Sequence, residues 1–439
     1  MYNKMKQLIK GLFSQILLLI VLFSTSCSEQ KNEKSLKIID VAGSVGGGRI
    51  IDISEVVEDI RYIPLETTEY SLVGEGVRVS YEKGRIYITD RTSILKIFDN
   101  EGKFLRNFDR RGRGPLEYPN KVNLYVEPKS GNILIDVVDG NASVYKYDQE
   151  GRYLGKFKTP QDGKYKTMWP IWLDDNTYVA RIGLFLDKPD FSVVAYDSLG
   201  QIKLLVPMPK LPPYKVFAPR KPVGLLNPTD GKIVYERDES GIKKLENPDR
   251  TILYRFRNNM RIVYESYDTV LSITTKMKID TPYIFNYGKY RNNSMERSSI
   301  SASKGKHISL CGRNQIMESD DYLFMQLALR DFAHEPYGKI NAKRNETYAI
   351  NDSYAIFNKK KSKFSFLNQI EKGVLGFREN LMDGPPFWPV YISDDNSLVM
   401  VIPALTLIEY AETHTISPKL AEIVKNLKDT DNPVVVIAR

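Results

Sequence analysis

Cysteine is nearly absent from this 439-residue chain, with Cys27 and Cys311 the only two. A disulfide scaffold is thereby excluded, and a core of this length does not need such staples. Histidine is almost as scarce, at His307, His334 and His414, and no two stand at metal-ligand spacing. His334-Glu335 lacks the second histidine of a zincin helix, and Pro336 opposes a helix there. These absences argue against a histidine-based zinc centre and against a Ser-His-Asp triad. Long helical repeats of Ala, Leu, Glu and Lys are missing. So is any concentrated basic block: the formal net charge is +9, and three of those charges lie in residues 1–26, which hold no acid. A nucleic-acid binder gathers its Lys and Arg on one face or helix, so nucleic acid is not an expected partner. The extended apolar run at residues 11–23 is short of the about 20 residues that a spanning helix needs.

That run has a different meaning. Lys4, Lys6 and Lys10 precede or flank it, Ser24-Thr25-Ser26 follow, and then comes Cys27. A basic head, a short apolar core and small residues form a signal peptide, here residues 1–26. A cysteine directly after the small residues resembles a bacterial lipoprotein box of the looser Bacteroidota kind, with Ser24 where the consensus prefers Leu. The resemblance implies diacylglycerol on the Cys27 thiol and acylation of the freed amine. Two or three chains hold firmly, since each buried CH₂ contributes about 0.8 kcal/mol. Residues 27–37 are predicted to be a polar tether, and residues 38–439 the folded domain.

The domain is rich in aromatics, with 27 tyrosines and 18 phenylalanines, which favour strands. It also repeats a phrase, aromatic-Asp-x-x-Gly: Phe98-Asp99 to Gly102, Tyr147-Asp148 to Gly151, and Tyr196-Asp197 to Gly200. The copies are spaced 49 residues apart, and a period near 50 signals a modular β-structure. Asp offers an acceptor to the amides just ahead of it, and Gly permits φ > 0. The phrase therefore predicts a turn between a third and a fourth strand. Tyr267-Asp268 and Phe357-Asn358 hold its place later in the chain without the glycine.

A β-hairpin precedes each phrase. The copies are Val77–Ile88, Val122–Ile135, Trp169–Ala180, Gly224–Tyr235, Ile316–Met325 and Trp388–Met400. Trp169 to Asn176 and Trp388 to Asn396 share their wording with one residue inserted, so both tryptophans are expected to anchor sheet packing. Four antiparallel strands per unit and six units predict an all-β fold, a six-bladed β-propeller. Pro433 to Ala438 and Ile60 to Leu65 are a late and an early strand. They are predicted to share a blade and close the ring, which removes open sheet edges. The prolines of residues 207–222 and the polar stretch 286–306 are insertions.

Three segments carry a family likeness: Tyr62 to Thr67, Phe98-Asp99 to Phe104, and Gly112-Arg113-Gly114-Pro115-Leu116-Glu117-Tyr118. Tyr267 to Val270 and Asp431 to Val434 extend it. With these, the chain resembles the six-bladed β-propeller lipoproteins of Bacteroidota that carry uncharacterised-domain labels, and more distantly NHL- and TolB-like propellers. The resemblance implies the fold and a cell-envelope location on a lipid anchor, facing the periplasm or the surface. It implies no reaction.

Two groups of residues are candidates for ligand binding. Arg110, Arg111 and Arg113 surround the glycines of the Gly112–Tyr118 stretch. Pro115 and Pro119 oppose the helix of a phosphate loop, so the stretch is expected to be a fixed inter-blade loop with a basic rim. Asp90, Asp136, Arg181, Glu236 and Gln326 stand at or near the ends of second strands, where they would ring a channel mouth. No cofactor is expected from the motifs. The leading functional expectation is a binding or scaffold protein for a glycan, peptide or envelope partner, since rigid rings commonly carry variable binding loops. The alternative is a calcium-dependent esterase or lactonase, or a polysaccharide lyase, working at the channel mouth.

Overall fold

In this computed structural model, the described residues are 36–119, 122–137, 143–162, 165–174, 176–182, 191–207, 216–217, 242–243, 251–264, 267–291, 307–311, 315–341 and 346–439. The expected signal peptide, Cys27, most of the tether, the Gly224–Tyr235 hairpin and Glu236 lie outside them.

Six antiparallel sheets follow one another along the chain. Blade one is Arg78–Glu82, Arg85–Thr89, Leu95–Asp99 and Phe104–Phe108. Blade two is Val122–Val126, Ile133–Val137, Ser143–Tyr147 and Tyr153–Lys158. Blade three is Tyr165–Asp174, Thr177–Ile182, Phe191–Asp197 and Ile202–Pro207, with Gln161–Asp162 added beside its first strand. In each, neighbouring strands in sequence are neighbours in the sheet. The repeated phrase forms the turn between the third and fourth strands. Asp99, Asp148 and Asp197 each accept two backbone N–H bonds through Oδ1, at 2.8–2.9 Å. The glycines sit at φ +83°, +81° and +77°, the left-handed region that disfavours a Cβ.

Blade four begins later than the 224–235 hairpin implied. Its strands are Thr251–Phe256, Asn259–Tyr264, Thr269–Thr274 and Ile279–Asn286. Tyr267-Asp268 therefore precedes the third strand rather than ending it. The equivalent turn is spelled differently: Thr274 Oγ1 accepts from the Lys278 N–H, and Met277 takes φ +57° where the earlier copies have glycine. Blade five comprises Ile316–Glu318 and Ser309–Leu310 along Tyr322–Ala328, then Asp352–Asn358 and Lys363–Phe366. Asn358 does end its third strand, and Ser362 supplies the positive φ, at +49°.

Blade six joins the two ends of the domain. Its order is Tyr391–Ile392, Leu398–Ile402, Val434–Ala438 and Ile60–Pro64. The last two run antiparallel, from Ile60 opposite Ala438 to Pro64 opposite Val434. All five residues of Val434–Ala438 are buried. Upstream, Lys37–Asp40 adds a parallel fifth strand to the outer edge of blade four. Two short helices, Ala404–Thr413 and Pro418–Lys425, are inserted in blade six, and their Leu407 and Leu420 are fully buried.

The apolar core divides into six clusters, one between each pair of adjacent blades. This is the expected result when every sheet is apolar on both faces and packs face to face with two neighbours. Trp388 fulfils its expected role there, stacked on Tyr354 at 4.0 Å between ring centroids. Trp169 does not anchor packing. It is 40% exposed at φ +54°, with the Arg181 guanidinium 4.2 Å over its ring. The register shift between Met168 and Ile171 turns it out of the sheet.

Candidate functional site

Closing six sheets into a ring sets their first strands around one axis. A cavity of about 340 Å³ follows that axis, and all six first strands contribute to its wall. Its polar lining comes mainly from the hairpin end of those strands: Glu82, Arg255, Arg257, Glu318 and Asp394. Its apolar lining includes Leu124, Val126, Ile171, Ile252 and Ile316.

Most of the charge is already matched across blades. Arg255 of blade four forks onto Asp394 of blade six. Its guanidinium also lies 4.5 Å over the ring of Trp172 from blade three. Arg257 pairs with Asp320. Glu318 is enclosed: Arg261 Nε donates at 2.9 Å, Lys359 Nζ at 2.7 Å and the Tyr283 hydroxyl at 2.8 Å. Burial pushes the Glu318 carboxyl up, but Arg261 and Lys359 outweigh it and hold the group below its ordinary range. These bonds tie blades four, five and six together around the channel.

Glu82 differs from Glu318. It is 3% exposed, and the Tyr391 hydroxyl donates to it at 2.6 Å. Burial raises it to about 7, helped by the negative charges of Asp394 and Asp395 and opposed by the bonds from Tyr391 and the Asp394 amide. A carboxyl poised near neutrality inside a cleft is a functional-site marker.

Three more lining groups have polar atoms that are buried and lack a hydrogen-bond partner among the described residues: Trp172 Nε1, Arg255 Nε and Gln315 Oε1. Their side chains are deeply enclosed, Trp172 and Gln315 at 4% and 5% exposure and the Arg255 side chain at 10%. Each of these atoms has under 1 Å² of accessible surface, so they stand behind the cavity wall rather than on it.

The residues singled out from sequence stand elsewhere. Asp90 takes bonds from Lys96 Nζ at 3.0 Å and from the Thr92 and Gly74 amides, each at 2.8 Å. Burial opposes its ionisation, but the bond from the Thr92 hydroxyl together with these bonds outweighs it and brings the carboxyl down to about 2. Asp136 accepts from Asn123 at 3.4 Å within blade two. Arg181 donates to the Thr251 carbonyl at 2.7 Å, joining blades three and four. Gln326 donates to Asp352. The Arg110–Tyr118 loop folds on itself around Tyr118, which is fully buried. Arg110 reaches the Gly151 carbonyl, and Arg111 is held by Asp109 and by the Thr92 carbonyl. Arg113 is exposed. Arg111 and Asp90 thus share Thr92 as a neighbour, but Asp90, Asp136, Arg181 and the arginines of this loop do not line the channel cavity. Among the described residues, no group of three or more His, Cys, Asp or Glu is placed to hold a metal ion. Nor, among them, is any helix long and apolar enough to cross a membrane.

Sequence reading missed Glu82, Glu318 and Asp394 because they sit in segments legible as hairpin turns, and missed Arg255 because its strand, Thr251–Phe256, was not among the hairpins read from the sequence. One signal was present: the first strands of blades one and five end at a glutamate, Glu82 and Glu318, and that of blade two is followed at once by Glu127, all three buried to 1–4% exposure. A buried acid in a repeated position marks a repeated structural task. The shared wording around Trp169 and Trp388 was a second signal, since it aligns the channel residues Trp172 and Tyr391.

The architecture defines the class: a six-bladed β-propeller sealed by its own termini. Within that class, the chain belongs to the family described as a domain of unknown function, DUF4934, whose profile matches residues 36–439. A candidate exported protein of Bacteroides fragilis has a similar structure, at 16% identity and a TM-score of 0.57, over 92% of this chain and 99% of that one. A member of the DUF4221 family from Bacteroides vulgatus aligns over 87% of this chain and 96% of its own, at 14% identity and a TM-score of 0.42. No curated protein matches the chain in sequence.

Proposed function

We propose that this chain is an exported, lipid-anchored propeller of the cell envelope that binds a glycan, peptide or envelope partner at its axial channel. The observation that carries the binding reading is the cavity of about 340 Å³ on the ring's axis, walled by all six first strands. A rigid ring with a cavity at its centre is preorganised for a ligand, because the ordering cost was met on folding. Export is supported by the likeness to the Bacteroides fragilis protein, and anchoring by Cys27 after an apolar run and small residues. The exposed crown of the Arg110–Tyr118 loop, with Arg113 and Leu116, offers a second contact surface outside the channel.

A second reading, an enzyme at the channel mouth, is favoured by Glu82, whose raised carboxyl beside Tyr391 suits proton transfer near neutral pH. The full chain in detergent, presented to mixed glycan and peptide arrays, tests the first reading. Reproducible retention of one ligand class without turnover supports it. Failure to retain any class refutes it.

A further inference from the structure

We propose that the propeller docks on an anionic phospholipid surface through the lysine-bearing turns of blades four and five, so that this patch and the lipid anchor together fix which side of the ring meets the bilayer. The inference rests on the anchored reading above and names the docking surface.

The chain enters the domain at Lys37, the first residue of the strand Lys37–Asp40. That strand runs parallel to Ile279–Asn286, with Lys37 opposite Tyr283 and Asp40 opposite Asn286. Its upstream end therefore points to the end of blade four where residues 274–278 turn into the fourth strand. Lys37 Nζ donates to the Lys359 carbonyl, which opens the equivalent turn of blade five. Antiparallel strands alternate in direction, so these turns lie on the same face of the ring as the hairpins that carry Glu82 and Glu318. Cys27 stands ten positions before Lys37. Ten residues reach at most about 36 Å, so a lipid on Cys27 keeps this edge of the ring close to the bilayer.

The turns at that edge differ in charge from the others. In blades one and two, an acid and a base stand between the Asp of the repeated phrase and the fourth strand: Glu101 with Lys103, and Glu150 with Arg152. Blade three has neither. Blade four has Lys276 and Lys278, and blade five has Lys359, Lys360, Lys361 and Lys363, with no acid in either turn. Lys359 and Lys360 are answered by Glu318 and Asp321. Lys276, Lys278, Lys361 and Lys363 are exposed and hold no ion pair among the described residues. Asp280 is the one acid within two positions of them in sequence, and Asp320 is taken by Arg257. Glu58 and Asp59 hold the corresponding place in blade six, which confines the positive patch to blades four and five.

An anionic bilayer attracts each basic residue near its surface by about fivefold in affinity. Such contacts are weak singly, but a short tether presents them at a roughly millimolar effective concentration, so they need only select an orientation. Lysine is a flexible point charge without the fixed fork of arginine, which suits mobile lipid phosphates better than one oriented anion. Ile279, exposed beside Lys278, adds apolar surface at the same edge. Docked this way, the hairpin end of the axial channel is tipped toward the membrane.

The test is amine labelling of the full chain reconstituted in vesicles of phosphatidylcholine, with or without phosphatidylglycerol, read site by site by mass spectrometry. Phosphatidylglycerol should slow labelling of Lys276, Lys278, Lys361 and Lys363 about fivefold or more. Lys83 and Lys103, on the same face in blade one, should keep their rates. Salt at about 0.5 M should abolish the protection. Lys361→Glu with Lys363→Glu should release Lys276 and Lys278, whereas Lys83→Glu with Lys103→Glu should not, with melting temperature as the check on folding. Protection of all six lysines alike, or of none, overturns the docking face. Protection of the four by an acidic polysaccharide but not by phosphatidylglycerol overturns the membrane as the partner. The same spectra read the mass at Cys27 and so separate the two readings. An acyl mass with unprotected lysines upholds the anchor and overturns the docking. Protection without an acyl mass upholds the docking and refutes the anchor.

Discussion

Replacing Glu82 with glutamine should stabilise the protein above neutral pH and leave it nearly unchanged in acid. The carboxyl is 3% exposed at the channel wall. The Tyr391 hydroxyl and the Asp394 amide face it as donors, Asp394 and Asp395 as negative charges, and Arg85 is its cross-strand neighbour. Its ordinary value of 4.5 rises to about 7 in the fold, so the folded state holds the proton more tightly than the unfolded chain does. Stability is then greatest below about pH 4.5, where both states are protonated. It falls as pH rises through about 7, because the unfolded state ionises freely and the folded state does not. At 1.36 kcal/mol per pH unit, the full difference is about 3 kcal/mol.

Glutamine keeps the shape and the acceptor oxygen for Tyr391 but carries no charge at any pH. For a domain of about 400 residues the unfolding entropy makes each kcal/mol worth about 1 °C. Thermal melts of wild type and Glu82→Gln from pH 4.5 to 8.5 are the assay. The melting-temperature difference should be near zero at the acid end and grow to about 3 °C at the alkaline end. A difference that is constant across the range would refute the assignment of a neutral, buried Glu82.

Three further predictions concern the ring and its anchor. Gly102→Ala should cost more than Gly200→Ala, although both glycines lie at similar positive φ. A Cβ at Gly102 would stand 2.2 Å from the Pro64 carbonyl oxygen of blade six, against 3.2 Å from the Lys158 oxygen at Gly200. Urea unfolding should show about 1–2 kcal/mol for the strain alone at Gly200 and clearly more at Gly102, and equal costs would count against this blade contact. Asn432→Ala should cost about 3 kcal/mol or more by the same assay. Its side chain accepts from the Val73 amide at 2.8 Å and donates to the Glu66 and Ser71 carbonyls at 2.8 and 3.0 Å, pinning the late chain to the early chain. A cost under about 1 kcal/mol would mean these bonds do not hold the closure. Finally, Cys27→Ser should abolish metabolic labelling by fatty acid, and labelling that persists in the variant would exclude acylation at this thiol.

Local chemistry made most of the fold legible in advance. The aromatic-Asp-x-x-Gly phrase is a self-contained turn: its carboxylate bonds the next few amides and its glycine takes the left-handed φ, whatever the rest of the protein does. Blades one to three and the closing strands followed from such signals. Blade four was displaced because Thr274 and Met277 make the same turn without either signature residue. A non-glycine residue at positive φ is costly by itself, and only tertiary packing that over-determines the turn allows it. The two tryptophans diverged for a related reason: Trp169 lies inside its strand at a register shift, whereas Trp388 precedes its strand, so Trp388 is buried and Trp169 exposed.

By itself, then, the sequence determined the repeat, the strand and turn chemistry within each blade, and the pairing of its two ends, since these depend on residues close in the chain or on one complementary strand pair. The channel was decided only by tertiary structure. Glu82, Trp172, Arg255, Gln315, Glu318 and Asp394 lie in five different blades or their connections, up to 312 positions apart in the chain. Closing the ring makes them neighbours around one cavity. There Coulomb attraction pairs Arg255 with Asp394, and burial lifts Glu82.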